Sequence, residues 1–184
     1  MGLTLNLFHA GAVGSHARWI GLGMLIFFTA EYVTHRFQLH APPVGPEFLR
    51  RLQRRLHYDH HEEPNRLDLL FLPLWYAVPA IAVYTGVYYY LSHDWIITQA
   101  ILLGNMIGLL HYEHVHYVAH IPVVPSTAWG RYMKKYHLWH HYKNEHYWYG
   151  VTNPFGDLLG GTYRKQADAE KSSTVRQLYD DQKA

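Results

Sequence analysis

The stretch LLFLPLWYAVPAIAVYTGVYYYLSHDWIITQAILLGNMIGLLHYEHVHYVAH, residues 69–120, decides the fold of this 184-residue chain. Its first part, Leu69–Ser92, contains no charged residue and no polar face, whereas a soluble helix of this length shows a polar face. Residues Trp95–Tyr112 are similarly apolar. A helix needs about 20 apolar residues to cross a bilayer. The two segments therefore predict membrane spans joined by the short turn Ser92–Asp94, with Pro73 and Pro79 kinking the first span.

A third apolar segment, Trp19–Thr34, precedes this pair and is interrupted only by Glu31. Three spans would place residues 36–66 and 113–184 on the same side of the membrane. Those residues hold fifteen of the sixteen Lys and Arg of the chain, and only Arg18 lies on the other side. Because basic residues concentrate on the cytoplasmic side, this side is predicted to be cytoplasmic.

Ten of the sixteen histidines fall into four clusters close to the predicted span ends. The clusters are His35/His40, His57/His60/His61, His116/His120 and His137/His140/His141. Helical spacing of i, i+3 and i+4 shares one face, so each HxxHH motif is predicted to aim three imidazoles at one place. The five-residue spacing of the first pair requires a break in its helix.

Neutral imidazole is the commonest metal ligand in proteins, and one ion accepts about four to six donors. Ten donors therefore predict two metal ions held close together. The predicted fold is an all-α membrane-embedded bundle of about three transmembrane helices with a cytoplasmic helical cap that holds a histidine-rich dimetal site.

Four acidic residues are candidates for orienting the imidazoles by accepting their free N–H groups. They are Glu31, Asp59, Glu113 and Asp157. The six other histidines are given smaller roles: no site role for His9, His16 and His93, a structural or accessory role for His111 and His114, and a place beside the ligands or the substrate for His146.

Composition excludes several classes of function. The absence of cysteine excludes disulfides, iron–sulfur clusters and thiolate-ligated haem. A net charge of +2 provides no global basic field for nucleic acid. The length predicts a single domain, residues 1–184. Residues 1–17 are expected to form a leader, and residues 164–184 a polar tail that is a peripheral helix or disordered.

The nitrogen-rich ligand set favours one kind of chemistry. Hydrolytic zinc sites use about three protein ligands, so ten imidazoles are excessive for that class. A pair of iron ions with nitrogen ligands suits activation of dioxygen, although zinc can replace iron in an imidazole site during purification. A site at the edge of a membrane would receive its substrate sideways from the lipid. These observations predict an oxygenase or desaturase that acts on a lipid.

Four motifs carry a resemblance to a known family: EYVTHRFQLH (31–40), HYDHH (57–61), HYVAH (116–120) and KKYHLWHHYKNEHYWYGVTNPFGDLLGGTY (134–163). They resemble the fatty acid hydroxylase superfamily of integral-membrane di-iron enzymes, which includes sterol desaturases. The last block looks particularly like the fatty acid 2-hydroxylases.

The resemblance implies that the ten clustered histidines hold two iron ions on the cytoplasmic face, where dioxygen is split and an acyl chain is hydroxylated. It also implies an external electron donor, of the cytochrome b5 or ferredoxin type. The sequence is expected to differ from longer members of the family in two ways: it carries no cytochrome b5 domain or HPGG haem motif, and it lacks the membrane helix that precedes the first histidine motif in those members. We therefore expect the donor to be a separate protein.

Two alternatives to an acyl hydroxylase stay open. A sterol or carotenoid hydroxylase or desaturase would use the same metal core, although the block GVTNPFGDLLGGTY favours the acyl branch. A non-catalytic membrane metal-binding protein, such as a transporter, would place its ligands near the bilayer midplane. The basic blocks Arg50–Arg55 and Lys134–Lys135 could bind either an acidic electron donor or anionic lipid headgroups.

Overall fold

The computed structural model describes residues 12–178, and all regular structure in this part of the chain is helical, which confirms the predicted all-α class. The α-helices are α1 (Ala12–Thr34), α2 (Glu47–Gln53), α3 (Asp59–Glu62), α4 (Leu74–Ser92), α5 (Trp95–His120), α6 (Ala128–Tyr142) and α7 (Phe155–Gly160). Two π-helical turns cover His35–Leu39 and Arg54–Tyr58, and two 3₁₀ turns cover Leu67–Leu69 and Gln166–Asp168. His9, most of the expected leader and the last six residues of the tail lie outside the described residues.

Two segments are long and apolar enough to cross a membrane: Leu67–Ser92 and Trp95–His120. The side chains of the first segment are mostly uncovered, with Leu74 78% and Leu91 71% exposed, as expected of a surface that faces lipid. The predicted helix Trp19–Thr34 lies within α1, but within residues 12–178 α1 is not among the segments that meet this test.

The ends of α4 are determined by local chemistry. Pro73 is extended (φ −62°, ψ 138°) and precedes the helix, so α4 begins at Leu74 within the predicted span, and Pro73 marks its start and not a kink inside it. The reason is steric, because a proline disfavours helical backbone in the residue before it. Pro79 lies inside α4 and does not end it. The helix ends at His93, whose φ is +50°, and the Asp94 carboxylate accepts from the next backbone N–H groups to begin α5.

The described chain forms two compact units. The first contains residues up to 29 and residues 73–111. In it, α1 and α5 approach at two glycines: a Cβ on Gly23 would lie 2.1 Å from the carbonyl oxygen of Ile101, and one on Gly104 would lie 2.1 Å from that of Ile20. Small residues allow this close helix packing in membrane proteins. The Asn105 amide donates to the Gly23 carbonyl at 3.1 Å across the same contact.

The second unit contains residues 30–72 and the chain from 112 onward. Its hydrophobic core is built from Met133, Tyr136, Trp148 and Ala169. The described part of the predicted tail, residues 164–178, has mostly exposed side chains and no α-helix. Ala169, Val175 and Leu178 are buried, at 7%, 5% and 9% exposure, so three scattered apolar side chains anchor an otherwise polar segment.

Candidate metal centre

The second unit brings the ten predicted histidines together in two groups of five, and in each group the ligand atoms offered all lie within 4.8 Å of one another. Group one contains His35, His40, His57, His61 and His140. Group two contains His60, His116, His120, His137 and His141. The groups are in contact, since the rings of His61 and His141 stack with centroids 4.1 Å apart.

Each HxxHH motif is divided between the two groups, which corrects the prediction that its three imidazoles point to one place. His57 and His61 join group one, whereas His60 joins group two. In α6 the i, i+4 pair His137 and His141 belongs to group two, and the residue between them, His140, belongs to group one. At about 100° per residue, i and i+4 differ by about 40°, and i+3 points about 60° the other way. A motif of this spacing can therefore serve two adjacent ions.

The pair His35 and His40 reaches group one through a wide helical turn and not through a break. The backbone N–H of His40 donates to the carbonyl of His35 at 3.1 Å, which is an i to i+5 hydrogen bond. A π-turn of this kind places residues five apart one above the other, and such turns concentrate at functional sites. The same geometry recurs at Arg54–Tyr58, a turn that contains His57, the first histidine of the second motif.

The imidazole nitrogens face one another at short range. In group one the Nε2 atom of His57 lies 2.7 Å from that of His40, which lies 3.0 Å from the Nε2 atom of His140. In group two the Nε2 atoms of His60 and His116 are 3.1 Å apart. Neutral imidazole carries one N–H only, so where the Nδ1 atom holds the proton these Nε2 lone pairs point at each other.

Backbone carbonyls fix that arrangement in group one. The Nδ1 atom of His35 bonds to the carbonyl of Tyr149, and that of His140 to the carbonyl of Tyr147 at 2.8 Å. The Nδ1 atom of His61 lies 3.2 Å from the carbonyl of Val175. A carbonyl can only accept, so Nδ1 carries the proton and Nε2 keeps its lone pair for a metal.

Burial keeps the imidazoles neutral. It lowers the pKa of His35 to about 4 and that of His61 to about 3. Burial and the neighbouring imidazoles hold the pKa of His57 and His137 well below the ordinary value. At neutral pH these side chains are therefore in the form that binds metals.

These residues fit two metal ions. The Nε2 atoms of His61 and His141 are buried and have no hydrogen-bond partner within residues 12–178. Buried polar atoms are normally satisfied, and a cation between converging lone pairs satisfies all of them at once. Each group offers five nitrogen donors, which lies within the range of about four to six donors that one transition-metal ion accepts.

Two of the four predicted acids accept hydrogen bonds from the loop that follows α6, and not directly from an imidazole. Glu31 accepts from the backbone N–H groups of Val151 and Thr152 at 2.7 and 2.9 Å. Asp157, fully buried, accepts from the N–H groups of Tyr149 and Gly150 at 2.9 and 2.8 Å. This loop carries the carbonyls that orient His35 and His140, so both acids act one step further from the metals than predicted.

The two other acids contact groups other than imidazoles. The Asp59 carboxylate lies 3.6 Å from the Arg54 guanidinium in a half-exposed ion pair. The Glu113 carboxylate accepts from the N–H of Leu72 at 3.4 Å. The prediction that these acids orient ligands therefore finds no support in their contacts within residues 12–178.

The other histidines within residues 12–178 lie outside both groups. His111 packs edge-on against Phe28, with centroids 6.2 Å apart. His146 is 67% exposed, and its Nε2 atom lies 3.4 Å from the Glu145 carboxylate. Glu145, which the sequence reasoning missed, is 2% exposed. Its position four residues after His141 in the acidic–basic run KNEH gave only a weak signal.

Comparison with known proteins identifies the family. The model of the fatty acid hydroxylase family matches residues 20–162 of this chain. The chain belongs to the fatty acid hydroxylase family. This confirms the resemblance found in the histidine motifs, and the match includes all ten histidines of the two groups.

Curated members of the fatty acid hydroxylase family match most of the chain. The ceramide very long chain fatty acid hydroxylase SCS7 of Saccharomyces cerevisiae is 32% identical over 151 residues, which are 77% of this chain and 37% of that protein. Fatty acid 2-hydroxylase of Rattus norvegicus is 30% identical over 75% of this chain and 37% of its own length. Dihydroceramide fatty acyl 2-hydroxylase FAH2 of Arabidopsis thaliana is 28% identical over 84% of this chain and 64% of its own length. The chain thus spans little more than a third of the first two relatives.

A solved member of the family has a similar fold. The structure described as full-length scs7p, with only the hydroxylase domain visible, aligns with a TM-score of 0.81 at 28% sequence identity. The alignment covers 93% of this chain and 64% of that one.

Proposed function

We propose that this protein is a membrane-bound, dioxygen-dependent dimetal oxygenase that hydroxylates the acyl chain of a lipid, in the manner of a fatty acid 2-hydroxylase. The observation that carries the proposal is the pair of adjacent, buried groups of five imidazoles. The reaction takes one oxygen atom of O₂ into a C–H bond and reduces the other to water with two electrons and two protons from outside.

The proposed ligands are the five histidines of each group, and the proposed metals are two iron ions. Iron bound there would supply the site at which dioxygen is reduced and cleaved, and zinc is a substitute to expect in purified protein. The protein contributes neutral imidazoles of fixed tautomer, held by the carbonyls of Tyr147, Tyr149 and Val175. It also excludes water, since His60, His61, His140 and His141 are at most 1% exposed.

The proposed membrane arrangement has three spans, with α1 as the first and the dimetal site on the cytoplasmic face. The support is the division of basic residues, fifteen of sixteen on the side of the histidine motifs. His116 and His120 occupy the last turns of α5, beyond its most apolar part. A lipid acyl chain is the proposed substrate because the relatives named above carry fatty acyl and ceramide hydroxylase names.

The electron donor is proposed to be an external protein of the cytochrome b5 or ferredoxin type. The basic blocks could bind either such a donor or anionic lipid headgroups, and three of their residues have partners within the chain. Arg50 and Arg51 pair with Glu47 at 3.3 and 2.8 Å. The ammonium group of Lys134 donates to three backbone carbonyls, among them that of Val118 at 2.8 Å. Reversing the charge of Lys134 would therefore test helix packing and not donor binding.

The test is turnover of the iron-loaded protein in lipid with a chemical or protein reductant and ¹⁸O₂. We expect one ¹⁸O atom in a hydroxylated acyl product detected by mass spectrometry. Single changes His57→Ala and His140→Ala, one in each HxxHH motif, should remove turnover and lower bound iron. His93→Asn is the matched control, because His93 lies outside both groups and asparagine tolerates its left-handed backbone.

Three outcomes would contradict parts of the proposal. Product formed without oxygen would overturn the oxygenase. An oxygenated sterol or carotenoid in place of an acyl lipid would replace the substrate with the alternative class. Full iron and full turnover in His57→Ala or His140→Ala would overturn the ligand assignment.

A further inference from the structure

Residues 169–178 form a segment that we call the C-terminal strap. It lies beyond residue 162, where the match to the family model ends. It has no regular helix within these residues, yet Ala169, Val175 and Leu178 are buried. Its hydrogen bonds reach the two HxxHH regions, one around α3 and the other directly after α6.

One end of the strap is anchored to the three residues that follow α6. The backbone N–H of Ser172 donates to the carbonyl of Lys143 at 2.8 Å, and the amide of Asn144 donates to the carbonyl of Glu170 at 3.1 Å. The hydroxyls of Ser172 and Thr174 both donate to Oε1 of Glu145, at 2.9 and 2.5 Å.

Glu145 is a costly residue to place here. Its carboxylate is 2% exposed, and Oε2 has no hydrogen-bond partner within residues 12–178. Burying a charged group costs free energy unless specific partners compensate. The partners it does have are mainly the two strap hydroxyls, so its most direct role is to fix the path of the strap.

The other end of the strap reaches a proposed metal ligand. The carbonyl of Val175 lies 3.2 Å from Nδ1 of His61, 114 positions away in the chain. The guanidinium of Arg176 donates to the carbonyl of Glu62 and lies over the ring of Tyr142, 5.6 Å from its centroid. The strap thereby contacts both α3 and α6, the two helices that carry histidines of the HxxHH motifs.

Group one and group two differ in the hydrogen bonds made by the Nδ1 atoms of their histidines. In group one the Nδ1 atoms of His35, His61 and His140 all meet backbone carbonyls. In group two the Nδ1 atoms of His60 and His137 have no hydrogen-bond partner within residues 12–178. Loss of the strap carbonyl therefore removes orientation from a ligand of group one and leaves group two without a direct change.

From these contacts we infer that the C-terminal strap positions His61 for metal binding in group one, and that Glu145 is the positioning residue that holds the strap in place through Ser172 and Thr174. The inference rests on the metal centre of the proposed function. A hydrogen-bond partner that orients a ligating imidazole is typically worth 10–100-fold in metal affinity. The strap should therefore affect the two metal sites unequally.

The test is a Co²⁺ titration of the metal-free protein, followed by the optical bands of the bound ion and by bound metal per folded chain. The variants are Glu145→Leu, the double change Ser172→Ala/Thr174→Ala, and a chain ending at Lys171. We expect one of two binding steps to weaken by about 10–100-fold in each, while the other step stays as in the wild type.

Three controls match these variants. Glu145→Gln keeps an oxygen that accepts from both hydroxyls, and it should restore most of the lost affinity. Ser173→Ala changes the strap hydroxyl that lies between the two anchors. A chain ending at Leu178 keeps the whole strap and removes only the residues after it. All three should show two binding steps close to those of the wild type.

The outcomes separate the inference from its premise. Two unchanged steps in folded Glu145→Leu would overturn the positioning role. Equal weakening of both steps, together with a lower melting temperature, would assign the strap to general stability and also overturn it. A wild-type protein that binds no Co²⁺ would overturn the metal centre itself, which is the failure of the proposed function.

Discussion

Single residues at this site act mostly through the backbone. The loop after α6 supplies the carbonyls of Tyr147 and Tyr149 to two proposed ligands. Glu31 and Asp157 hold that loop by accepting its N–H groups. A carboxylate that accepts several backbone N–H bonds is strongly tied to one geometry. The acids of this family member therefore act on the shape of the loop first and on the metals only through it.

Asp157 should be much more important than Asp59, although both were predicted to orient imidazoles. Asp157 is fully buried and accepts four hydrogen bonds, including those from Tyr136 and Thr162. Replacing it with alanine leaves those donors unsatisfied and should cost on the order of 3–5 kcal/mol. We expect a lower melting temperature and less bound metal.

Asp59→Asn is the control for Asp157→Ala. Its ion pair with Arg54 is about one-third exposed on both sides, and such pairs contribute less than about 1 kcal/mol. Melting temperature and metal content should stay close to the wild type. Metal loss in Asp59→Asn, with Asp157→Ala unaffected, would reverse the roles assigned to these two acids.

At the scale of elements, one departure from a regular α-helix and one regular helical spacing bring the two histidine groups together. The π-turn His35–Leu39 brings two histidines five apart onto the same side. The i, i+3, i+4 spacing of the HxxHH motifs divides each motif between two groups. α3 has only four residues, and its buried residues are His60 and His61. So short an element can present one histidine to each group because it needs no further packing face of its own.

The contact between α1 and α5 gives a test at the same scale. A Cβ on Gly104 would lie 2.1 Å from a backbone carbonyl, and backbone cannot move aside as a side chain can. Gly104→Val should therefore separate the helices and cost roughly 1–3 kcal/mol or more. Thermal melting of the protein in detergent measures this loss.

Gly21→Ala is the matched control, since no atom lies within 4 Å of its added Cβ. Alanine favours helix over glycine by about 1 kcal/mol, so this variant should melt at the wild-type temperature or above it. Equal melting of Gly104→Val and the wild type would show that α1 and α5 do not pack through these glycines.

At the scale of the whole molecule, a core of neutral histidines makes stability depend on pH. The pKa of His35 is lowered to about 4 and that of His61 to about 3 by burial, against about 6.5 in the unfolded chain. The contribution of these two histidines to the free energy of unfolding is complete above about pH 6.5. It falls as the pH drops towards 4, because the unfolded chain then binds protons that the folded chain does not.

The metal-free protein should therefore melt at a lower temperature at pH 5 than at pH 7.5. Each of these two histidines should account for a loss on the order of 2 kcal/mol over that interval. The double variant His35→Asn/His61→Gln should show a smaller change between the two pH values. A melting temperature that is the same at both pH values would contradict the neutral state assigned to the cluster.

Topology is the second test at this scale. With three spans the N-terminus is outside and the C-terminus is cytoplasmic, as the fifteen-to-one division of basic residues predicts. A reporter fused after Ala184 should be active only in the cytoplasm. An extracytoplasmic reporter would refute the arrangement, and a count of two spans would leave α1 outside the bilayer.

The sequence by itself determined the helical class, two apolar segments, the family and the ten histidines that come together. Each of these depends on local periodicity and spacing, which a single helix expresses without reference to the rest of the chain. Only the tertiary structure decided which histidines share a group, which carbonyls orient three of the rings and which loop Glu31 and Asp157 hold. Those contacts join residues far apart, such as His35 with Tyr149 and His61 with Val175, each separated by 114 positions. The position of the polar tail was also decided by the tertiary structure. Its composition indicates exposure, whereas its few apolar residues and its backbone hydrogen bonds place it against the site.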